Sequence, residues 1–428
     1  MRPLASDWEQ ASAPSPANRE GHGGGGLADG VRAGISAGKR RQAAAIMARQ
    51  GLSGWLSIVR ETGAGGGSAD PVLALWAPVN VVGLSALLLR PDGRATAVVA
   101  NYDRLAMERS GHFDEVLAYD QDWRPSLLRA LDATGEGRIG LNFSIHDHLA
   151  DGISHGSFLA LEQALAGSRH TGRLISAESA AAELRGVKIP QEVERIKGAA
   201  HLTEDLFAEL GPRLVPGTTE REVYDFVHTR LREMGLGTAW DPQICPSVNI
   251  GAASEHGHVG PGDHAAAPGD LVHLDFGVLA AEYCSDLQRM WFLADSGRDS
   301  PPEEVLLAFD AVHGAIRAGM AALRPGVPGF EVDEAARAHL RDLGHPEFQH
   351  AFGHQLGRAC HDGGGVLGPL WPRYAARSRQ VVRAGQVWTL ELGVPTPRGA
   401  LSLEEMVLVT DDGAVWLSQP QDSLWLAG

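Results

Sequence analysis

The pattern of apolar and polar positions divides the 428-residue chain into three regions. Residues 1–33, rich in Gly, Ala, Ser and Pro, read as a flexible tail. Over residues 34–182 helical periodicity alternates with short apolar runs, which predicts a small mixed domain. There AGKRRQAAAIMARQGL reads as a helix closed by Gly51, and LSALLLRPDGRATAVVA as two strands turning at Pro91-Asp92-Gly93. SLLRALDATGEGRIGLNF reads as a helix followed by a strand, and a later helix near SFLALEQALAG ends at Gly167. The break falls around ELRGVKIPQEVERI. Pro190 opens a helix there, with Val193, Ile196, Ala200, Phe207 and Leu210 on one apolar face until Gly211-Pro212 stops it.

From residue 188 to the end the pattern repeats. LVPGTTEREVYDFVHTRLREMG (214–235) and LRPGVPGFEVDEAARAHLRDLG (323–344) have equal length. They share the Leu-x-Pro-Gly opening, Glu222/Glu331, Val223/Val332, Leu231/Leu340, Arg232/Arg341 and the closing glycine. Each reads as a turn feeding an amphipathic helix that glycine ends. Strands follow in the same order: PGDLVHLDFG (268–277) is echoed by AGQVWTLELG (384–393), each with an acid and a glycine two residues beyond it. Two halves of this kind are expected to pack about a pseudo-twofold axis in an α+β fold.

Charge and cysteine content narrow the function classes. With 37 Lys+Arg against 53 Asp+Glu, the formal charge is -16, which argues against nucleic acid or an anionic membrane as the main partner. Cys245, Cys284 and Cys360 form no CxxC pair, which fits a reducing compartment and argues against a disulfide framework or a thiolate zinc site. The N-terminus lacks a signal-peptide core and no run of 18 or more apolar residues occurs, so a cytoplasmic protein is expected. Within residues 34–182 no tight cluster of His, Asp, Glu or Cys stands out, and a supporting or capping role is expected for that domain.

The acids of the repeat carry the chemistry. Asp275 lies in LVHLDFGVL and Asp286 in EYCSDLQRMWFL, while Glu391 lies in VWTLELGV and Glu404 in LSLEEMVLV. Each half thus supplies two acids, 11 and 13 residues apart, which lets a hairpin bring both to one face. Four converging carboxylates cannot all stay ionised without compensation. Two divalent cations would supply it, and a metal pair about 3.5–4 Å apart makes a shared water a good nucleophile. HAFGHQLGRACHD holds His350, His354 and His361, and EHGHVGPGD holds His258. His354, just before the second hairpin, is the best imidazole ligand, and one His among acids suits Mn, Co, Zn or Fe. The other histidines are candidates to position a carbonyl or transfer a proton. A single acid of this kind could equally be an edge residue or half of a buried ion pair; the repeat-related set of four is what points to a site. Arg289 reads either as a salt-bridge partner of one of these acids or as a substrate contact. Tyr283 and Trp388 read as core or rim, and Glu405 is expected to point away from Glu404. Neither a GxSxG elbow nor a phosphate-binding loop occurs.

In order along the chain, HLDFG, YCSDLQR, GHQLGRACHD, TLELG and LEEMVLVT resemble the motifs of the pita-bread metallopeptidases, in the branch of Xaa-Pro aminopeptidases, prolidases and creatinase. The resemblance covers residues 188–428 strongly and the preceding domain loosely. It implies a creatinase-like N-terminal domain over 34–182 and a dinuclear catalytic domain over 188–428. Asp275, Asp286, His354, Glu391 and Glu404 match the family's five metal ligands, with Asp286 and Glu404 bridging. His258 and His361 match the histidines around the scissile bond, His350 a further one in proline-cleaving members, and Glu391 the general base. The resemblance implies two divalent ions, Mn2+ first with Co2+ or Zn2+ as alternatives, a peptide substrate with proline at its second position, and a homodimer. Gln288, Ser402 and Leu392 stand where members commonly have Thr, Arg and Pro, and Arg358 or Arg398 are candidates to replace the missing arginine. The expected activity is that of an Xaa-Pro aminopeptidase. Its rivals are an Xaa-Pro dipeptidase, a creatinase-type C–N hydrolase and a non-enzymatic scaffold.

Overall fold

The computed structural model describes residues 25–63, 70–254, 259–294 and 300–428. A first sheet of six strands runs in the order Glu115–Tyr119, Ala95–Ala100, Ser85–Leu89, Leu52–Val59, Arg138–Leu141, Leu174–Ser176. The hairpin expected at Pro91-Asp92-Gly93 forms, with Gly93 at φ 80° and Leu88 opposite Thr96. Its central strands read as nearly continuous apolar runs because both faces are covered. Trp55, Leu87 and Val99 face one core, and Leu56, Leu88 and Val98 face the other.

The first helix spans Gly25–Gln50 and is closed by Gly51 at φ 69°. It therefore begins inside the stretch expected to be tail. Glycine is a poor helix former, so Gly30 and Gly34 hide the helix in the sequence. Tertiary contacts override that preference: Ile35 is buried with Val193 and Ile196, and Arg32 pairs with Glu282.

A second sheet orders its main strands Val387–Thr396, Gly399–Val409, Leu287–Leu293, Leu271–Phe276, Ser247–Ile250. Two hairpins, Leu271–Phe276 with Leu287–Leu293 and Val387–Thr396 with Gly399–Val409, meet along their inner strands. Each half brings its own helix pair. Pro190–Leu210 and Glu220–Met234 pack on one core with Val272, Leu274 and Phe276. Glu303–Ala322 and Gly329–Asp342 pack on the other with Leu390, Leu392 and Leu403.

The repeated helices differ at their starts. Thr219 accepts from the Glu222 amide while Glu222 Oε2 accepts from the Thr219 amide, a reciprocal cap. Pro328 stands at the corresponding position before Glu331 and makes no side-chain cap. Both copies end at a left-handed glycine, Gly235 at φ 67° and Gly344 at φ 81°. Among the described residues, helix Glu303–Ala322 is long and apolar enough to cross a membrane, with mean hydropathy 1.3. Its Val305, Phe309, Val312 and Ile316 are buried in the second core.

Candidate metal centre

One register row crosses the second sheet: Glu391 lies opposite Glu404, Glu404 opposite Gln288, Gln288 opposite Asp275, and Asp275 opposite Ser247. Residues opposite one another share a face of the sheet, so the row aims three acids to one side. Asp286, two residues before Gln288, joins the same face. Glycines let the backbones close around this row. A Cβ on Gly277 would lie 2.0 Å from the Ser285 carbonyl oxygen, and one on Gly353 would lie 2.0 Å from that of Thr389. Gly353 thereby lets the short strand Gly353–His354 press against Val387–Thr396, where the Glu391 amide donates to the Phe352 carbonyl at 2.7 Å. That contact delivers His354 to the acids.

His354 Nε2 is 3.5 Å from Asp286 Oδ2, 3.9 Å from Glu391 Oε1 and 3.8 Å from Glu404 Oε1. Asp275, Asp286 and Glu404 form a second group, each offering an oxygen within 4.8 Å of the others. The structure thus brings together all five residues assigned to metals from the sequence. Asp275 Oδ1, Asp286 Oδ1 and Glu404 Oε1 are buried with no hydrogen-bond partner. Among the described residues no lysine or arginine pairs with the four acids, so their charge is uncompensated by protein. Burial, then neighbouring carboxylates, pushes Asp275 and Glu404 well above the usual carboxylate range. Burial also pushes Glu391 up to about 7, against the opposing pull of His354. Burial works to lower the His354 value, but Asp286 and Glu391 outweigh it and leave it raised. Two groups of buried oxygen and imidazole donors with orphaned lone pairs fit a pair of divalent cations.

The remaining candidates are spread around this cluster. The His361 ring lies 4.2 Å from that of His354, centroid to centroid, and is exposed to solvent. His350 is exposed and packs edge-on against Phe348. His258 lies outside the described residues. Arg289 forms a buried pair with Glu405 at 3.0 Å, on the opposite side of the strand from the cluster, and donates to the Glu404 carbonyl. Glu405 thus points away from Glu404 as strand alternation requires. Tyr283 and Trp388 are both buried in cores. Arg398 donates to the Gly269 carbonyl, and Arg358 lies 3.4 Å from Glu282, so both candidate replacement arginines are engaged elsewhere.

Sequence reasoning passed over four residues. Gln288 donates from Nε2 to Glu391 Oε2 at 3.2 Å and Glu404 Oε2 at 3.1 Å. Its Oε1 accepts from Ser402 Oγ at 2.6 Å and lies 3.0 Å from His273 Nε2. Two of the departures from the family pattern, Gln288 and Ser402, are therefore partners. Asp275 and Gln288 are 13 residues apart, as are Glu391 and Glu404, so Gln288 occupies the repeat position of Glu404. Asp286 likewise corresponds to Ser402, which corrects the simple pairing of acids between halves. Period-two alternation from Asp275 would have placed His273 on the same face. The fourth is Cys360, whose Sγ lies 2.9 Å from Asp286 Oδ2.

Comparison with known proteins accords with this arrangement. A model of metallopeptidase family M24 matches residues 194–411. The chain is 28% identical over 242 residues to the uncharacterized peptidase YqhT of Bacillus subtilis, covering 56% of this chain and 64% of that protein, just under two thirds of its length. It is 30% identical over 292 residues to the putative dipeptidase YkvY of Bacillus subtilis, covering 67% of this chain and 74% of that protein. It is 28% identical over 244 residues to an Xaa-Pro dipeptidase of Pyrococcus furiosus, covering 56% and 66%. The crystal structure of dipeptidase PepE from Mycobacterium ulcerans superposes with a TM-score of 0.71 at 24% identity, covering 92% of this chain and 98% of that one. The family match takes in more than half of the chain and the structural likeness carries the same two-lobed architecture across nearly all of it, so the chain belongs to metallopeptidase family M24, in the pita-bread fold of aminopeptidase P, prolidase and related dipeptidases.

Proposed function

We propose that this protein is a two-metal peptidase that cleaves the bond before proline in Xaa-Pro dipeptides. The observation that carries the reading is the set of three buried, partnerless carboxylate oxygens facing His354 and Glu391. Asp275, Asp286, His354, Glu391 and Glu404 would hold the two ions, Mn2+ first, with Co2+ or Zn2+ as alternatives. Bound there, such ions supply Lewis acidity and a nucleophile from water at neutral pH. Glu391 suits the general base: its side chain keeps 26% exposure, against 7% for Asp286 and 2% for Glu404, and burial lifts it to about 7. Gln288 fixes one Glu391 oxygen by its hydrogen bond and leaves the other turned toward His354. His361, beside His354 and open to solvent, is placed to donate to a substrate carbonyl as negative charge develops on it. His350 and His258 complete the proposed catalytic set.

The preference for a dipeptide rests on the names of the relatives YkvY and the Pyrococcus enzyme. It reverses the order expected from sequence, where an aminopeptidase acting on longer peptides came first. One observation favours that second reading. Ser402 replaces the arginine of many members, and Arg358 and Arg398 are engaged elsewhere, so neither arginine offers a clamp for a free carboxylate. A homodimer in a reducing compartment is part of the proposal, and the three unbridged cysteines support the compartment.

Hydrolysis of Ala-Pro beside Ala-Pro-Ala by Mn2+-loaded protein separates the readings. Cleavage of the dipeptide with little release from the tripeptide is expected. Preferential release of alanine from the tripeptide would make the protein an aminopeptidase, and failure on both would move a small-molecule C–N substrate forward.

A further inference from the structure

In the sequence the three cysteines argue against a disulfide framework or a thiolate zinc site, but the surroundings of Cys360 are those of a ligand. It lies in the loop between His354 and His361, it is 5% exposed, and its sulfur faces the metal cluster. Asp286, His354 and Cys360 each offer an atom within 4.8 Å of the others, and all three are buried. The neighbouring Asp286 Oδ1 and Glu404 Oε1 have no partner, although both residues are at least nine-tenths buried. Cys360 Sγ therefore shares one ligand group with His354 and Asp286, and His354 Nε2 in turn lies 3.8 Å from Glu404 Oε1. The other two cysteines are occupied elsewhere, Cys245 against the Gly277 carbonyl and Cys284 against those of Ala239 and Arg358.

We infer that Cys360 is an additional ligand to the metal ion held by His354, which biases that position toward thiophilic ions such as Zn2+ or Co2+. The separations from His354 Nε2 to Asp286, Glu404 and Glu391, 3.5, 3.8 and 3.9 Å, are of the size expected between donors sharing one ion at bond lengths of about 2.0–2.3 Å. The Sγ–Oδ2 distance of 2.9 Å is shorter than such a separation, so binding would part these two atoms by about 0.7 Å. On coordination the sulfur–metal bond replaces the sulfur–hydrogen bond, and the thiol proton leaves to solvent. No electron changes hands. A soft thiolate favours zinc and cobalt over manganese, whereas the oxygen donors of the Asp275 side favour manganese. The two positions would then differ in the ion each prefers.

The inference rests on the two-metal reading, and the test keeps the two apart. Metal-free protein is titrated with Co2+ while the near-ultraviolet region is watched for a sulfur-to-cobalt charge-transfer band and bound cobalt is counted. The full-length protein is expected to bind two ions and show the band. Cys360→Ser is expected to bind two ions without it, and Cys284→Ser to keep it. The preference for Zn2+ over Mn2+ is expected to fall on the order of tenfold or more in Cys360→Ser. Two cobalt ions without a band in the unaltered protein, or a band that survives in Cys360→Ser, would overturn the inference and leave the two-metal reading intact. Failure to bind cobalt at all would overturn both. Should Cys360→Ser not fold, the unaltered protein still decides the matter, because absence of its band is sufficient to reject the assignment.

Discussion

Gln288 is the residue through which the two glutamates of the centre are held together. Its amide donates to Glu391 and Glu404 at once, and its oxygen is fixed by Ser402 and His273, which in turn meets Asn249 at 3.0 Å. A neutral donor at this point is favourable, because a carboxylate in its place would add another charge to an uncompensated cluster. Outer partners of this kind orient ligands and tune their affinity. Gln288→Ala is therefore expected to weaken binding of divalent ions by about 10–100-fold while leaving the fold intact, as read by calorimetric titration with Mn2+. An unchanged affinity would mean that the glutamates are oriented by the backbone alone. The acids themselves were legible in the sequence, since Asp275 and Glu391 each sit in an apolar strand with a glycine two residues on, and Asp286 and Glu404 follow them at hairpin spacing. Gln288 was hidden because aligning acid with acid gives spacings of 11 and 13, whereas sheet register pairs Gln288 with Glu404.

At the scale of elements, the loop between Gly353–His354 and Val366–Leu367 carries Cys360 and His361 and is pinned from outside the second sheet. Asp362 accepts from Lys188 Nζ at 2.6 Å and pairs with Arg185, both just before the helix Pro190–Leu210. Asp147, from the first lobe, accepts from the Gly364 amide at 2.7 Å. Burial alone would raise the Asp362 value, but Arg185 and Lys188 outweigh it and hold the carboxyl below its usual range. Asp362→Asn leaves two buried cations without their anion. It is expected to destabilise the protein by about 3–5 kcal/mol in denaturant unfolding, with a change under ~1 kcal/mol contradicting that role. Helix limits were legible where caps and glycines mark them, as at Thr219 and Gly235. They were not legible for Gly25–Gln50, whose N-terminal turns are held by contacts with distant elements.

The hairpin pair as an element also predicts a pH dependence. Asp275, Glu391 and Glu404 all bind protons more tightly in the folded, metal-free protein than in the unfolded chain. Such groups favour the fold at acid pH, and that contribution falls as pH rises from the ordinary carboxylate value of about 4 through the folded values, about 7 for Glu391. In the presence of a chelator, the melting temperature is therefore expected to drop between about pH 5.5 and about pH 8. Excess Mn2+ at the higher pH is expected to restore it, because binding to the folded state adds stability. A metal-free protein whose melting temperature rose over this interval would show that the cluster does not govern stability.

Across the whole molecule, one face of the second sheet gathers the candidate chemistry while the first lobe supports its loops. Lys39 of the first helix is fully buried 2.7 Å from Glu192, and Arg185 donates to the Pro71 carbonyl, so the lobes share polar contacts beside the metal centre. The formal charge of -16 does not describe this site, where what matters is that three of the four acids bury partnerless oxygens and, among the described residues, no lysine or arginine pairs with them. The duplicated architecture could be read from the paired helices and strands. The contacts of Asp147, Arg185 and Lys188 with the His361 loop could not, because they join residues more than 170 positions apart. The central claim is that the buried acids exist to hold two ions for hydrolysis. Its most direct test is calorimetric titration of metal-free protein with Mn2+, with Glu404→Gln alongside and Ala-Pro turnover measured on the same samples. The account predicts two ions per chain with turnover, and in Glu404→Gln at most one tightly bound ion with turnover lost by at least about a hundredfold. Two tightly bound ions and full turnover in Glu404→Gln would contradict it.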